Sequence, residues 1–177
     1  MFTEKEVSRE TVYQGRIVNV RSDVVELING KHAPREVIEH PGGVCIVPVD
    51  ADRNCYLVRQ FRHPVGKDLL EFPAGKLDPG EDPMECAIRE LGEETGLSAK
   101  EVVSLGVMYP SPGYSDEVLH LFLAQDLTEG TAHPDENEFL SIEKIPLTTL
   151  ADLVASNQVP DAKTVFALFR TMQYIVD

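Results

Sequence analysis

The chain has 177 residues, a formal net charge of -14 and a hydrophobic fraction of 42%, which is ordinary for a soluble globular protein. Its length favours one domain, or one domain with a small appended element. The acidic balance argues against general nucleic-acid binding, which depends on Lys and Arg. No segment approaches the roughly 20 apolar residues of a membrane helix, and the first residues lack a signal-peptide pattern. We therefore expect a cytoplasmic protein without a membrane or nucleic-acid partner.

Residues 1–40 predict a small antiparallel sheet. The segments VVEL and REVIE flank Asn29-Gly30, a dipeptide that suits the tight primed turn of a β-hairpin. The run Pro41-Gly42-Gly43 that follows is a natural boundary. We accordingly expect residues 1–40 to form a separate N-terminal element and residues 41–177 to form the main domain.

Strands and three helices are expected in the main domain. The segments GVCIVPV and CYLVRQF are apolar strands joined by the turn-rich DADRN, whereas residues 64–80 predict a loop with one short strand around Leu70 to Phe72. GVMYP, EVLHLFLAQ and SIEKIPL predict further strands, and helices are expected near 83–95, 147–156 and 161–175. The last helix carries apolar residues that fit one face, at Val165, Phe166, Phe169 and Met172. This order indicates an α+β fold with a mixed sheet and helices on its faces.

The first of these helices has well-marked ends. Asp82 is a good N-cap, Pro83 suits the first helical position, and Gly96 suits the position after the C-terminal end. An apolar stripe for the core is formed by Ala87, Ile88 and Leu91.

A second face of this helix carries three carboxylates, at Glu90, Glu93 and Glu94. Their i, i+3 and i+4 spacing brings like charges within a few ångströms of one another. Such a cluster is unfavourable unless a cation offsets it, and Mg²⁺ prefers carboxylate and water oxygens. Arg89 has i±4 partners in Glu85 and Glu93 and could fix the carboxylates in position. The alternative is a solvated acidic helix face.

The wider pattern separates these two alternatives. Residues 75–97 contain Gly75, Glu81, Arg89-Glu90-Leu91, Glu93-Glu94 and Gly96-Leu97. This spacing resembles the complete Nudix box. The resemblance implies a Nudix α/β/α sandwich whose loop–helix–loop binds Mg²⁺, or Mn²⁺, and hydrolyses a nucleoside diphosphate linked to another moiety.

The resemblance also implies a role for individual residues of the box. By position, the metal ligands are Glu90, Glu93 and Glu94, together with the backbone carbonyl of Ala74. Glu93 and Glu94 also count among the catalytic residues, and so does Arg89, which orients the carboxylates. Glu81 is expected to hold the loop geometry or a further metal.

Three flanking segments resemble the ADP-ribose pyrophosphatases: LLEFPAGKLDPGE before the box, SPGYSDE after it and DENEF later in the chain. Pro112 lies fifteen residues beyond Leu97, close to the marker proline of that subfamily, although a proline there also starts a turn. Glu117 resembles a glutamate that contacts substrate or metal, and Arg62 resembles an arginine near the substrate. In these enzymes the N-terminal sheet mediates a homodimer, and Arg35 resembles an arginine that reaches the partner subunit's substrate.

The polar loop Asp135-Glu136-Asn137-Glu138 resembles the loop that supplies the general base and an extra metal ligand. We assign Glu136 as the base and Glu138 as the ligand, with the register open by two residues. The alternative is a solvated acidic turn.

Together these resemblances imply Mg²⁺-dependent hydrolysis of ADP-ribose to AMP and ribose 5-phosphate by a homodimer. Three alternatives remain open from the sequence. The substrate could be another nucleoside diphosphate sugar, such as GDP-mannose; the chain could be a non-catalytic Nudix module that binds a nucleotide; or it could be an unrelated protein with an acidic helix.

Overall fold

The computed structural model describes residues 2–134 and 139–175. Their contacts divide the chain into two compact units. The first contains the residues up to Gly42 and the segment Tyr109–Val118, and the second contains Gly43–Met108 and the residues from Leu119 onward.

The first unit is built on a three-stranded antiparallel sheet in the order β1-β2-β3. Its strands are β1 (Lys5–Gln14), β2 (Asn19–Glu26) and β3 (His32–Glu39). The predicted hairpin is confirmed, because Gly30 has φ 76° in the turn and its N–H donates to the carbonyl of Leu27 at 2.8 Å. Every residue of β1, an edge strand, is exposed.

The second unit contains a mixed sheet in the order β7-β4-β9-β8, in which β4 and β9 are parallel and the other neighbours are antiparallel. A second, antiparallel sheet has the order β10-β5-β6. The strands are β4 (Gly43–Pro48), β5 (Asn54–Arg62), β6 (Lys67–Glu71), β7 (Ala74–Lys76), β8 (Leu97–Met108), β9 (Leu119–Glu129) and β10 (Leu140–Pro146). The helices are α1 (Pro83–Thr95), α2 (Leu147–Ala155) and α3 (Ala162–Ile175). None of the described helices is long and apolar enough to cross a membrane.

The alternation of side chains along β4 organises the core on two faces of the mixed sheet. Cys45 and Val47 belong to a cluster that includes residues of α2 and α3, listed as Leu147, Leu150, Ala167 and Leu168. Val44 and Ile46 belong to a second cluster that includes residues of α1, listed as Cys86, Ala87 and Leu91. Helices therefore cover both faces, which is the expected α/β/α arrangement.

As expected, the DADRN turn joins β4 to β5; the two strands lie in different sheets, and an isolated bridge pairs Val49, just after β4, with Cys55. Two expectations about strands are corrected. Residues 64–80 hold two strands, β6 and β7, in place of one. Strand β8 begins at Leu97, well before GVMYP, because its polar first half pairs with β9 from Leu97 opposite Glu129 onward.

Two expectations about helix faces are also corrected. In α1 the buried residues include Cys86, Ala87 and Leu91, whereas Ile88 is 46% exposed. In α3 the buried residues are Thr164, Ala167, Leu168 and Thr171, whereas the large side chains of Phe166, Phe169 and Met172 are exposed. Small side chains on the packed face of α3 let the helix approach the sheet closely, and the hydroxyl of Thr164 accepts a hydrogen bond from the backbone N–H of Phe72 at 2.9 Å.

Candidate active site

Helix α1 has the ends that local sequence rules predict. The carboxylate of Asp82 accepts hydrogen bonds from the backbone N–H groups of Met84 and Glu85, at 2.8 and 3.3 Å. Gly96 ends the helix with φ 71°, and a Cβ there would lie 2.5 Å from the backbone nitrogen of Ala132. Glycine is therefore required at this position by both conformation and space.

The helix directs two carboxylates toward the β7 backbone. Glu90 is 9% exposed and Glu94 is 1% exposed. The Oε2 atom of Glu94 accepts a hydrogen bond from the N–H of Ala74 at 3.1 Å. A Cβ added to Gly75 would lie 1.8 Å from the Oε1 atom of Glu90, so this glycine leaves the space that the carboxylate occupies. The consecutive backbone units of Ala74 and Gly75 therefore lie against both carboxylates.

Arg89 bonds three carboxylates in this region. Its Nε and Nη2 atoms donate to the two oxygens of Glu81 at 2.9 and 3.0 Å, and its Nη1 atom donates to Glu90 at 2.8 Å and to Glu93 at 2.9 Å. The hydrogen bonds from Arg89 hold the pKa of Glu81 down at about 2. Glu81, and not the i−4 residue Glu85, is the partner on the N-terminal side, because the loop before α1 folds back along the helix.

The residues that the box predicts as ligands have the chemistry of a hard-cation site. Glu90, Glu93, Glu94 and the carbonyl of Ala74 present oxygen atoms, which Mg²⁺ and Mn²⁺ accept. Across residues 2–134 and 139–175, no group of three or more His, Cys, Asp or Glu side chains is arranged to hold a metal ion. In this structure Arg89 bridges Glu90 and Glu93, so the assignment of these residues as metal ligands stays a prediction.

Arg62 lies at the end of β5 and makes a bidentate ion pair with Glu71, a residue that the sequence analysis did not single out. Its Nε and Nη2 atoms donate to Oε1 and Oε2 of Glu71, at 2.8 and 2.7 Å. Glu71 is 1% exposed and also accepts a hydrogen bond from Lys163. One signal was available in the sequence: Glu71 is a charged residue between Leu70 and Phe72 in a buried apolar run, and a buried charge requires partners.

The other predicted substrate-binding residues belong to the first unit. Arg35 pairs with Glu4. Pro112 is the second residue of a turn in which the N–H of Tyr114 donates to the carbonyl of Ser111 at 3.1 Å. An oxygen of Glu117 lies 3.7 Å from Nδ1 of His40. The predicted base Glu136 and the predicted ligand Glu138 lie outside the described residues.

Comparison with family models identifies the chain. A model of the NUDIX domain matches residues 39–169, and a model of the nucleoside diphosphate sugar hydrolase N-terminal domain matches residues 4–38. The chain belongs to the Nudix hydrolase family.

Similar proteins cover nearly the whole Nudix chain. An ADP-ribose pyrophosphatase of Bacillus subtilis (strain 168) is 40% identical over 167 residues, which are 93% of this chain and 90% of the relative. A methanol dehydrogenase activator of Bacillus methanolicus is 38% identical over 170 residues, which are 95% of this chain and 92% of the relative. The crystal structure of an ADP compounds hydrolase superposes with a TM-score of 0.86 at 30% identity, covering 98% of this chain and 94% of that structure.

These findings confirm the class of reaction. The chain is a Nudix pyrophosphohydrolase with an α+β fold, a mixed sheet and a small antiparallel N-terminal sheet. The box by itself does not identify the nucleoside diphosphate sugar that is hydrolysed or the divalent ion that is used.

Proposed function

We propose that this Nudix enzyme hydrolyses ADP-ribose to AMP and ribose 5-phosphate, uses Mg²⁺ or Mn²⁺, and acts as a homodimer. The observation that carries the proposal is the placement of Glu90 and Glu94 against the Ala74–Gly75 backbone. Two nearly buried carboxylates of α1 thus lie against the backbone of β7, to which the proposed carbonyl ligand of Ala74 belongs. The similarity to an ADP-ribose pyrophosphatase over 93% of the chain supports the choice of substrate.

In this proposal Glu90, Glu93, Glu94 and the carbonyl of Ala74 hold the divalent ion. When bound, such an ion neutralises diphosphate oxygens and makes a water molecule a stronger nucleophile at neutral pH. Arg89 orients Glu90 and Glu93 through its hydrogen bonds. Glu94 accepts a separate hydrogen bond, from the N–H of Ala74.

Further residues are assigned to the substrate and to the water. The guanidinium of Arg62 binds a phosphate oxygen of the substrate, a contact for which its planar donors are suited. Arg35, Pro112 and Glu117 are also proposed as substrate-binding residues. Glu136 is proposed as the general base that accepts the proton of the attacking water, and Glu138 as a further ligand.

The homodimer is supported by the character of β1. An exposed edge strand of ten residues is a surface on which chains associate unless it is protected. It carries exposed apolar side chains at Val7, Val12 and Tyr13, and Ile17 is exposed just beyond it. We expect light scattering to give twice the mass of 19.7 kDa. A monomer at micromolar concentration would contradict this part of the proposal.

The reaction is tested by incubating the purified chain with ADP-ribose and Mg²⁺ in ¹⁸O-labelled water and identifying the products by mass spectrometry. We expect AMP and ribose 5-phosphate, with the label in one of them, which identifies the phosphorus attacked. GDP-mannose and other nucleoside diphosphate sugars are compared in parallel. A higher kcat/KM for one of these compounds would replace ADP-ribose as the substrate and leave the class of reaction intact.

Glu94→Gln tests the role of the most buried carboxylate. The amide oxygen can still accept the hydrogen bond from Ala74, so the fold should survive while turnover is lost. Glu101→Gln, at an exposed position on β8, is the matched control and should retain activity. Near-normal turnover by Glu94→Gln would contradict the assignment. Binding of ADP-ribose by the wild-type chain without any turnover would favour the non-catalytic alternative.

A further inference from the structure

The first turn of α3 contributes a cation to the buried carboxylate of Glu71. The Nζ atom of Lys163 donates to Oε2 of Glu71 and to Oδ2 of Asp161, the latter at 3.0 Å. Asp161 precedes α3 and caps it, because its Oδ2 atom accepts the N–H of Thr164 at 3.0 Å. The ammonium group of Lys163 is therefore held between a helix cap and the end of β6.

Glu71 is shared by two cations. Arg62 approaches it through two parallel hydrogen bonds, and Lys163 approaches the same Oε2 atom from α3. Burial by itself would raise the pKa of Glu71, but the hydrogen bonds and charges of Arg62 and Lys163 outweigh burial and hold it below the ordinary value. Glu71 is thus ionised, and the four groups Arg62, Glu71, Asp161 and Lys163 balance to zero net charge.

Arg62 and Lys163 face different surroundings. The side chain of Arg62 is 38% exposed, and Glu71 takes hydrogen bonds from its Nε and Nη2 atoms. Among the described residues no other acceptor is bonded to this guanidinium, so its Nη1 group can donate a hydrogen bond to a phosphate oxygen. The side chain of Lys163 is 13% exposed and points into the ionic network, which makes it unsuited to direct contact with a substrate.

The same turn of α3 also holds the strand segment beside the carboxylates of α1. The hydroxyl of Thr164 accepts the N–H of Phe72 at 2.9 Å. Two residues later, the N–H of Ala74 donates to Glu94. The start of α3 is thereby joined to both groups of residues that the proposed reaction needs.

We propose that Lys163 is a positioning residue for substrate binding, acting through Glu71 on Arg62. Lys163 partly compensates the negative charge of Glu71. Glu71 can then orient the guanidinium of Arg62 without neutralising its charge completely. Without Lys163, Glu71 and Asp161 are balanced by Arg62 alone, which draws Arg62 toward Glu71 and weakens its attraction for a diphosphate. The inference rests on the proposed contact between Arg62 and the substrate.

The first test compares Lys163→Met with Lys163→Arg. We expect Lys163→Met to raise the KM for ADP-ribose and the Kd for its non-hydrolysable α,β-methylene analogue by roughly tenfold, the size of one weakened charge-assisted hydrogen bond. The kcat should change much less, and Lys163→Arg should restore both constants. Lys100→Met, which removes the same charge from an exposed position on β8, is the control and should leave both constants unchanged.

Asp161→Asn distinguishes charge balance from simple loss of structure. Asparagine caps a helix about as well as aspartate, so α3 should be retained. Glu71 would then be the only anion that Lys163 compensates in this network. We therefore expect the KM to stay at or below the wild-type value. An increase in KM well above the wild-type value would overturn the proposal. This variant is informative even if Lys163→Met does not fold.

A double-mutant cycle separates the two levels of the inference. If Lys163 acts through Arg62, then Lys163→Met should add nothing to the increase in KM caused by Arg62→Met. Effects that multiply would show that Lys163 acts independently and would overturn its positioning role. If Arg62→Met leaves KM unchanged, both the proposed contact of Arg62 with substrate and the positioning role of Lys163 are wrong. An effect of Arg62→Met without an effect of Lys163→Met removes the role of Lys163 alone.

Discussion

Substitution of Gly75 by alanine should impair the enzyme through one side chain. The new Cβ would lie 1.8 Å from Oε1, 2.0 Å from Cδ and 2.6 Å from Oε2 of Glu90. Carbon atoms of this kind essentially never approach a neighbour more closely than 3.0 Å, so the carboxylate of Glu90 must move by at least 1.2 Å. Glu90 is nearly buried and bonded to Arg89, which limits the directions in which it can move.

A displacement of this size predicts a large kinetic effect with a small structural one. Misplacement of a catalytic group by 1 Å can cost about 10²-fold in rate, which corresponds to roughly 2.7 kcal/mol of transition-state stabilisation. We therefore expect Gly75→Ala to lower kcat/KM for ADP-ribose by about two orders of magnitude. Binding of Mn²⁺, followed by electron paramagnetic resonance, should weaken in parallel if Glu90 is a ligand.

Gly92→Ala, in the same helix, is the matched control. Its nearest neighbour would be the carbonyl oxygen of Leu97 at 3.9 Å, an ordinary contact. Replacing glycine in a helix interior should stabilise the protein by up to about 1 kcal/mol in urea unfolding and leave turnover unchanged. If Gly75→Ala folds normally and keeps kcat/KM within about twofold of wild type, the position of the Glu90 carboxylate is not important for the reaction and the reasoning is refuted.

Three further predictions concern helix α1 and its loop. Arg89→Met should lower the free energy of unfolding by about 1 to 3 kcal/mol, because it leaves three carboxylates without their shared donor. Added Mn²⁺ should raise the melting temperature of this variant more than that of wild type, and an equal rise would contradict the idea that Arg89 and the ion offset the same charges. Leu91→Ala should cost about 2 to 5 kcal/mol, whereas Ile88→Ala should cost less than about 1 kcal/mol because Ile88 is exposed; equal costs would mean that the helix packs by another face. The pKa of Glu81 is about 2 in the folded protein against 4.5 ordinarily. The ionised Glu81 therefore stabilises the fold fully above pH 4.5, and this contribution is lost as the pH falls toward 2. The difference in free energy of unfolding between wild type and Glu81→Gln should shrink over that range.

Features that depend on neighbouring residues in the chain were predictable. Helix α1 spans Pro83–Thr95 as expected, because its N-cap, its first-turn proline and its terminal glycine each act within one turn of the helix. The Asn29-Gly30 turn follows from the backbone conformation that glycine allows. The box also singles out Glu90 and Glu94 as site residues, and in the structure both lie against the β7 backbone.

Features that depend on distant residues were not predictable in the same way. Strands β4 and β5 are adjacent in the chain, yet hydrogen bonding to β9 and to β10 draws them into different sheets. Periodicity favoured the large apolar residues of α3 as one face, but close packing on the sheet selects the face with Thr164 and Ala167. The pairing of Glu71 with Lys163 joins residues that are 92 positions apart.

The sequence by itself thus determined the family, the ends of α1 and the identity of the acidic residues it carries, since all of these are encoded within one short segment. The tertiary structure decided which carboxylates are buried, which cations accompany them and which glycine must leave space for Glu90. These outcomes depend on the approach of separate strands and helices. The free energies of burial and of charge pairing depend on which groups the folded chain brings into contact, and local sequence does not specify those contacts.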